Sequence, residues 1–217
     1  MNRYFKILTR LLLRLTNKYD ICGQSNEIGI SHHSLVKNCL FSVHGNENII
    51  KIADGCKFEN VRFILKGNRQ SIQVGSNVAM GAGSVLWIED NEGLIQIGKY
   101  STFEQVHLAV TEDKSSIIIG EDCMFSNDID VRTGDSHSIF DLQTGKRINA
   151  AKSVIIGNHV WCGAHVSILK GSQVPNGCVI GARSTITCRT PPYSPNIIIA
   201  GTPADEIRKS IKWSRER

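Results

Sequence analysis

Apolar residues in the middle of this chain follow neither the two-residue alternation of a half-exposed strand nor the 3.6-residue period of a helix. They recur at every sixth position. From Ile156 the series runs through Cys162, Ile168, Val174, Ile180 and Ile186, apolar at each step. Upstream the same spacing gives four triplets: Ile52, Phe58, Ile64; Val74, Met80, Leu86; Ile97, Phe103, Ala109; and Ile119, Phe125, Val131. Successive triplets begin 22, 23 and 22 residues apart, then 37, then 18. A coil is therefore three hexads with a short insertion in most coils and a long one at about residues 132–153. The insertions fall between the same two hexads, so they should leave the structure at a single corner.

A hexad is a short extended side followed by a sharp bend. Three sides close a triangular coil, and the next coil stacks on it at the strand spacing of about 4.8 Å. The pattern thus predicts an all-β, parallel β-helix over residues 28–190. Glycine follows the inward residue at Gly75, Gly81, Gly98, Gly120, Gly157, Gly163 and Gly181, where a tight corner has little room for a side chain. A first coil from Ile30 through Val36 fits less well, because Ser42 takes its third inward position.

The two ends read differently. Over residues 1–20, Arg3, Lys6, Arg10, Arg14 and Lys18 share one helical face opposite Leu8, Leu11, Leu12 and Leu15, the pattern of a basic amphipathic helix. Such a helix either packs on the first coil or a neighbouring subunit, or lies on an anionic membrane surface. In the C-terminal segment, 191–217, Pro203 precedes Ala204, Asp205, Glu206, Ile207 and Arg208. That order, with acids early and bases late, predicts a capping helix.

Composition narrows the function classes. At 217 residues and 24.0 kDa one main domain is expected. The net charge of +5 comes without any run of five or more Lys or Arg, which argues against nucleic acid as a partner and leaves small anions or a lipid surface. The seven cysteines contain no C-x-x-C pair, so neither a disulfide framework nor a zinc site is expected, and a reducing compartment fits. With no long apolar run and no cleavage-site pattern, the expectation is a cytoplasmic protein, at the inner face of the membrane if the N-terminal helix binds lipid.

The stretch Ile156-Gly157-Asn158-His159-Val160-Trp161-Cys162-Gly163, then Val179-Ile180-Gly181-Ala182 and Ala200-Gly201-Thr202-Pro203-Ala204, resembles the hexapeptide-repeat acyltransferases. These include the galactoside and maltose O-acetyltransferases. Asp135-Ser136-His137-Ser138-Ile139-Phe140-Asp141 with Arg147-Ile148-Asn149 is similar to the capsular and polysialic acid O-acetyltransferases in particular. The match is strong over about 119–208, repeat-level over 52–118 and absent before that. The resemblance implies a left-handed β-helix, a homotrimer with acetyl-CoA clefts between subunits, a catalytic histidine and direct transfer to a hydroxyl of a surface polysaccharide, sialic or polysialic acid among the candidates.

A sugar hydroxyl is too weak an acid to attack a thioester unaided, and histidine is the side chain suited to take its proton near neutrality. His137, at the start of the long insertion, matches the family's histidine. A lone histidine is ordinarily surface decoration; position and resemblance together lift this one above that. Trp161 matches a wall of the acetyl or acceptor pocket, against the blander role of a trimer contact. Gly163 and Ala164 follow it, and the Ala164 N–H matches a donor to the thioester oxygen. Ala182 and Thr187 match the pantetheine track, and Arg183, Arg189 and Arg208 are the cations available to the phosphates, with Lys209 beside them. The sequence departs from its relatives at Thr187-Cys188-Arg189, at Asp205 where a base is common, and at Glu104. No metal is expected: His159 and His165 stand one hexad apart, on different sides of a prism. That spacing weakens a γ-carbonic-anhydrase-like metalloenzyme, which His107 from a neighbour could still complete. A xenobiotic acetyltransferase is the nearer alternative, and a noncatalytic scaffold would leave His137 and Trp161 without a reason.

Overall fold

The structure, a computed structural model, describes residues 13, 15–189 and 192–216. Three sheets form the sides of a triangular solenoid. Sheet A has eight strands, from Lys18–Cys22 to Thr185–Ile186; sheet B has seven, from Glu27–Ile30 to Gln173–Val174; sheet C has nine, from Leu35–Lys37 to Ala204–Arg208. Up to Ile186 the chain visits A, B and C in rotation, so each strand pairs in parallel with the strands one coil before and after it. No helix among the described residues is long and apolar enough to cross a membrane.

Inward residues stack in columns, because parallel in-register pairing puts equivalent side chains directly above one another. Sheet B stacks Ile52, Val74, Ile97, Ile119, Ile156 and Val174. Sheet C stacks Val36, Phe58, Met80, Phe103, Phe125, Cys162 and Ile180. Sheet A stacks Phe41, Phe63, Leu86, Leu108, Val131, Ile168 and Ile186. The six-residue period therefore holds at most of the expected positions and slips at two. Phe63, not Ile64, and Leu108, not Ala109, point inward. In these two coils the corner between sheets C and A is one residue shorter, and Ile64 and Ala109 land on the outer face beside Trp87. The first coil is genuine for the same reason: Phe41 and Val43 face in, and Ser42 faces out. The column keeps its aromatic stacking at this end, with Phe41 and Phe63 rings 4.8 Å apart and 7° from parallel.

Corners repeat as faithfully as sides. At the vertex between B and C the left-handed residue of successive coils is Asn77, Tyr100, Asp122, His159, Gly177 and Asn196. Asn, Asp and His tolerate that conformation better than most residues. The glycines after inward residues answer to crowding: a Cβ on Gly157 would sit 2.4 Å from Asn176 Oδ1 and 2.9 Å from the Pro175 carbonyl carbon. The short insertions leave at the vertex between A and B. There Asn46, Asn68 and Asn91 form a ladder in which each backbone N–H donates to the side-chain oxygen one coil on, ending at Asp113. The 132–153 loop leaves from this same vertex.

At the ends the structure departs from expectation. Ala204–Arg208 is a strand, antiparallel to Ile198–Gly201, and not a helix. The chain reverses at Gly201, whose φ of 110° suits glycine, and the open edge of sheet C captures the segment whose charge order suggested a helix. Most of the span expected to form a basic N-terminal helix lies outside the described residues. Leu13, Leu15 and Thr16 are helical, but Lys18–Cys22 already belongs to sheet A, so helix does not extend to residue 20. Paired strands run from Lys18 to Arg208, a wider span than 28–190. All seven cysteines are free thiols; burial pushes Cys123 up to about 11 and raises Cys162 as well, which makes both inert core residues.

The register is testable by stability. Leu108→Ala should cost about 2–5 kcal/mol by opening a core cavity, whereas Ala109→Gln on the outer face should change stability by less than about 0.5 kcal/mol. Urea denaturation of the two variants reads this directly. The opposite order would mean that Ala109 faces the core.

Candidate active site

The long loop is a mounted arm. At its neck the Lys152 N–H donates to the Thr133 carbonyl at 2.9 Å, and the buried Thr133 hydroxyl bonds Thr111 in the coil before. Beyond the neck, Ile139 and Ile148 pair across a short antiparallel hairpin whose turn is held by the Asp141 carboxylate. Arg147 ties the hairpin to Glu112 through two hydrogen bonds. Those bonds hold the Glu112 carboxyl below its ordinary range.

His137 stands where the arm leaves the neck, and its side chain is exposed. Its backbone is fixed by Asn149, which is 7% exposed. The Asn149 amide donates to the His137 carbonyl at 2.8 Å, and its oxygen accepts the Ile139 N–H at 2.7 Å. Asn149 also donates to Asp135 at 3.0 Å. Lys170, one coil on, donates to the Asp135 carboxylate and, at 2.8 Å, to the Asn149 carbonyl. The Lys170 ammonium and then Asn149 hold the Asp135 carboxyl below its ordinary range, which keeps it an acceptor at neutral pH. Asp135 and Asn149 sit in the motif around His137, but their support of its backbone was not apparent from sequence. Lys170, distant in the chain, gave no signal at all.

Beside the arm a groove of about 540 Å³ crosses the outer face of sheet A, with Arg62, Trp87, His107, Arg132 and Ser136 among its walls. Asp130 organises it. The carboxylate accepts two hydrogen bonds from Arg132, at 2.6 and 2.8 Å, and one contact from His107 at 3.2 Å. Burial pushes Asp130 up, but those partners outweigh it and hold the carboxyl below its ordinary range.

Trp161 lies elsewhere, on the outer face of sheet C. It is 40% exposed and borders a depression of about 320 Å³ with Thr102, Glu104, Met124 and Ser126. Sheet C is the side opposite the vertex between A and B, so one chain does not bring Trp161 and His137 together. Gly163, Ala164, Ala182 and Arg183 are brought together: they stack in consecutive coils at the vertex between C and A. The Gly163 N–H donates to the Ile180 carbonyl and the Arg183 N–H to the Ala164 carbonyl, both at 2.8 Å. The Ala164 N–H has no acceptor among the described residues and remains available as a donor. Thr187 and Arg189 belong to a separate depression with Gly171, Gln173, Cys188 and Pro192, and Arg208 ends the edge strand of sheet C.

Two departures noted in the sequence explain each other. Arg189 Nη1 donates to Asp205 Oδ1 at 2.8 Å, and its guanidinium lies 4.7 Å over the Tyr193 ring. Three further histidines are each paired with one carboxylate of an adjacent coil. His159 bonds Asp122 at 2.7 Å, His165 bonds Asp128 at 2.8 Å, and His107 uses Asp130. Among the described residues no three His, Cys, Asp or Glu side chains converge as a metal site.

No family model matches the chain. A polysialic acid O-acetyltransferase of Neisseria meningitidis is 38% identical over 156 residues, covering 72% of this chain and 71% of that protein. The solved structure of the polysialic acid O-acetyltransferase OatWY superposes with a TM-score of 0.86 at 36% identity and covers 92% of both chains. That of the polySia-specific acetyltransferase NeuO gives 0.74 at 30% identity, covering 92% of this chain and 83% of that one. The solenoid is thus the left-handed β-helix of these enzymes, and the chain belongs to the polysialic acid O-acetyltransferase family of hexapeptide-repeat acyltransferases.

Proposed function

We propose that this O-acetyltransferase takes acetyl from acetyl-CoA and places it on a hydroxyl of a sialic-acid-containing bacterial surface polysaccharide, with His137 as general base. The donor class is an acyl-CoA; acetyl is the acyl group the family's name carries. The observation that carries the acceptor class is the position of His137. It stands one residue beyond Ser136, which lines the groove together with Arg62, Arg132, His107 and the Trp87 indole. Guanidinium groups pair with a sugar carboxylate, and an indole face suits the C–H surface of a pyranose.

The chemistry needs few groups. The acceptor oxygen attacks the thioester carbonyl while the His137 imidazole removes its proton, and the carbonyl oxygen becomes an oxyanion that the Ala164 N–H can meet. Collapse breaks the carbon–sulfur bond, and the CoA thiolate leaves, taking the proton back from the imidazolium. Gly163, Ala182 and Thr187 offer a small-residue surface for pantetheine, and Arg183 and Arg208 are exposed cations for the phosphates. Arg189 would serve only by exchanging Asp205 for phosphate.

Assembly completes this site in our reading. His137 and Trp161 lie on opposite sides of one prism, so a pocket using both draws them from neighbouring chains of a homotrimer. The arm supports this. It exposes Ile139 at 53%, Phe140 at 57%, Leu142 at 101% and Ile148 at 65%, an apolar surface that a second chain would cover.

Mass spectrometry of acetyl transfer from acetyl-CoA to polysialic acid, neutral surface glycans and chloramphenicol tests the acceptor. Acetyl should appear on the sialylated polymer; acetylation of chloramphenicol alone would favour a xenobiotic acetyltransferase. His137→Ala should lower turnover about 10²- to 10⁴-fold while leaving the thermal midpoint and calorimetric acetyl-CoA binding near wild type. A variant keeping more than about half of the turnover would assign the base to another group.

A further inference from the structure

Residues 209–216 follow the edge strand of sheet C and run back along the vertex between B and C, crossing coil after coil. The Ile211 N–H donates to the Asn196 carbonyl at 2.9 Å. Two residues on, Trp213 is 7% exposed. Its ring stacks on His159 with centroids 4.0 Å apart and planes 9° from parallel. Its Nε1–H donates to the His159 carbonyl at 2.9 Å. Further down, Arg215 makes four hydrogen bonds: to Asp122 Oδ1 at 2.8 Å, Thr102 Oγ1 at 2.9 Å, the Tyr100 carbonyl at 3.2 Å and the Cys123 carbonyl at 2.8 Å. Asp122 binds both parts of the assembly, because its other oxygen contacts His159 Nδ1 at 2.7 Å.

The strap ends beside Trp161. The Trp213 and Trp161 ring centroids are 6.1 Å apart at 45°, within the range of tilted aromatic pairs. Arg215 bonds Thr102, which lines the same depression as Trp161. An indole on an open sheet face can occupy several rotamers, and a neighbour packed along one side removes some of them. Trp161 stands two residues past the left-handed corner at His159, and the aromatic ring beside it is that of Trp213. Trp213 comes from a segment 52 residues later in the chain.

We propose that this strap is a positioning element of the acetyl-transfer site: Trp213 holds Trp161 in its working rotamer, and Arg215 anchors Trp213. The inference rests on the reading of Trp161 as a wall of that site. The blander role, a clasp that only stabilises the solenoid, predicts a lower melting temperature with unchanged kinetics and an unmoved Trp161.

The experiment compares Trp213→Phe with Trp213→Ala in the full chain. In a Trp87→Phe background Trp161 is the sole indole in both, so its fluorescence anisotropy reports its mobility; kcat and KM are measured in the native background with acetyl-CoA and polysialic acid. The alanine variant should show a freed Trp161 and a kcat/KM reduced roughly tenfold, and phenylalanine should restore both to within about twofold. Arg215→Gln, made in the Trp87→Phe, Trp213→Phe background for the anisotropy so that Trp161 stays the sole indole and in the native background for kinetics, should shift both readouts the same way, and it decides the matter if the alanine variant does not fold. A Trp161 as immobile in the alanine or glutamine variant as in Trp213→Phe, or a freed Trp161 with wild-type kcat and KM, overturns the proposal. A wild-type enzyme inert toward polysialic acid contradicts the acceptor reading by itself, and the anisotropy comparison then decides the strap alone.

Discussion

Backbone hydrogen bonding between consecutive coils governs everything else in this molecule. Each strand spends its N–H and C=O groups on the coils before and after it, so a side or a corner can vary only in ways that still stack. The corners feel this most, because each must repeat a left-handed residue at nearly the same height. Extra residues are tolerated at the vertex between A and B, where the Asn46, Asn68, Asn91 ladder shows how bulges of equal length are stitched together. The 132–153 arm is the same device enlarged. It leaves where insertion is allowed, on a neck built on Thr133 and a brace built on Asn149 and Lys170.

Stacking also separates polar residues that serve the fold from those available for chemistry. His159 and His165 occupy left-handed corners with φ of 53° and 59° and bond a carboxylate directly before them in the stack. Both are accounted for by the solenoid. His137 is held by its backbone, with its ring left to solvent, which is the condition expected of a base that must meet a substrate. Asp130, by contrast, is a partly buried carboxylate whose two partners, His107 and Arg132, both face the groove beside the arm. Its negative charge organises the cations there.

Sequence made the fold legible because the six-residue period recurs through most of the chain. It misplaced Ile64 and Ala109 because these coils are apolar on both faces: Phe63, Ile64 and Leu65 are consecutive, as are Leu108, Ala109 and Val110. A corner one residue shorter leaves no trace in such a run. The segment Ala204–Arg208 was misread because charge order is a local signal, and the unpaired edge of sheet C outweighs it. His137, Trp161 and the Gly163–Ala164 corner could be named from motif text. Lys170, Trp213 and Arg215 could not, since their contacts are made across 21 to 115 residues and follow from which coil lies beside which. The Arg189–Asp205 pair looked like two separate departures because nothing local ties residues 16 apart.

The central claim is that the solenoid sets His137 and Trp161 on opposite sides of one chain, so that the transfer site forms between chains. Co-refolding equal amounts of His137→Ala and Trp161→Ala chains tests it most directly. Each parent lacks one half of every site, whereas random reassortment pairs an intact His137 with an intact Trp161 at about one quarter of all interfaces in the mixture, one half times one half. The account expects the mixture to regain about a quarter of wild-type turnover. A mixture as inactive as its parents, with mixed trimers demonstrated by native mass spectrometry, would place both residues in the same chain's site and contradict it.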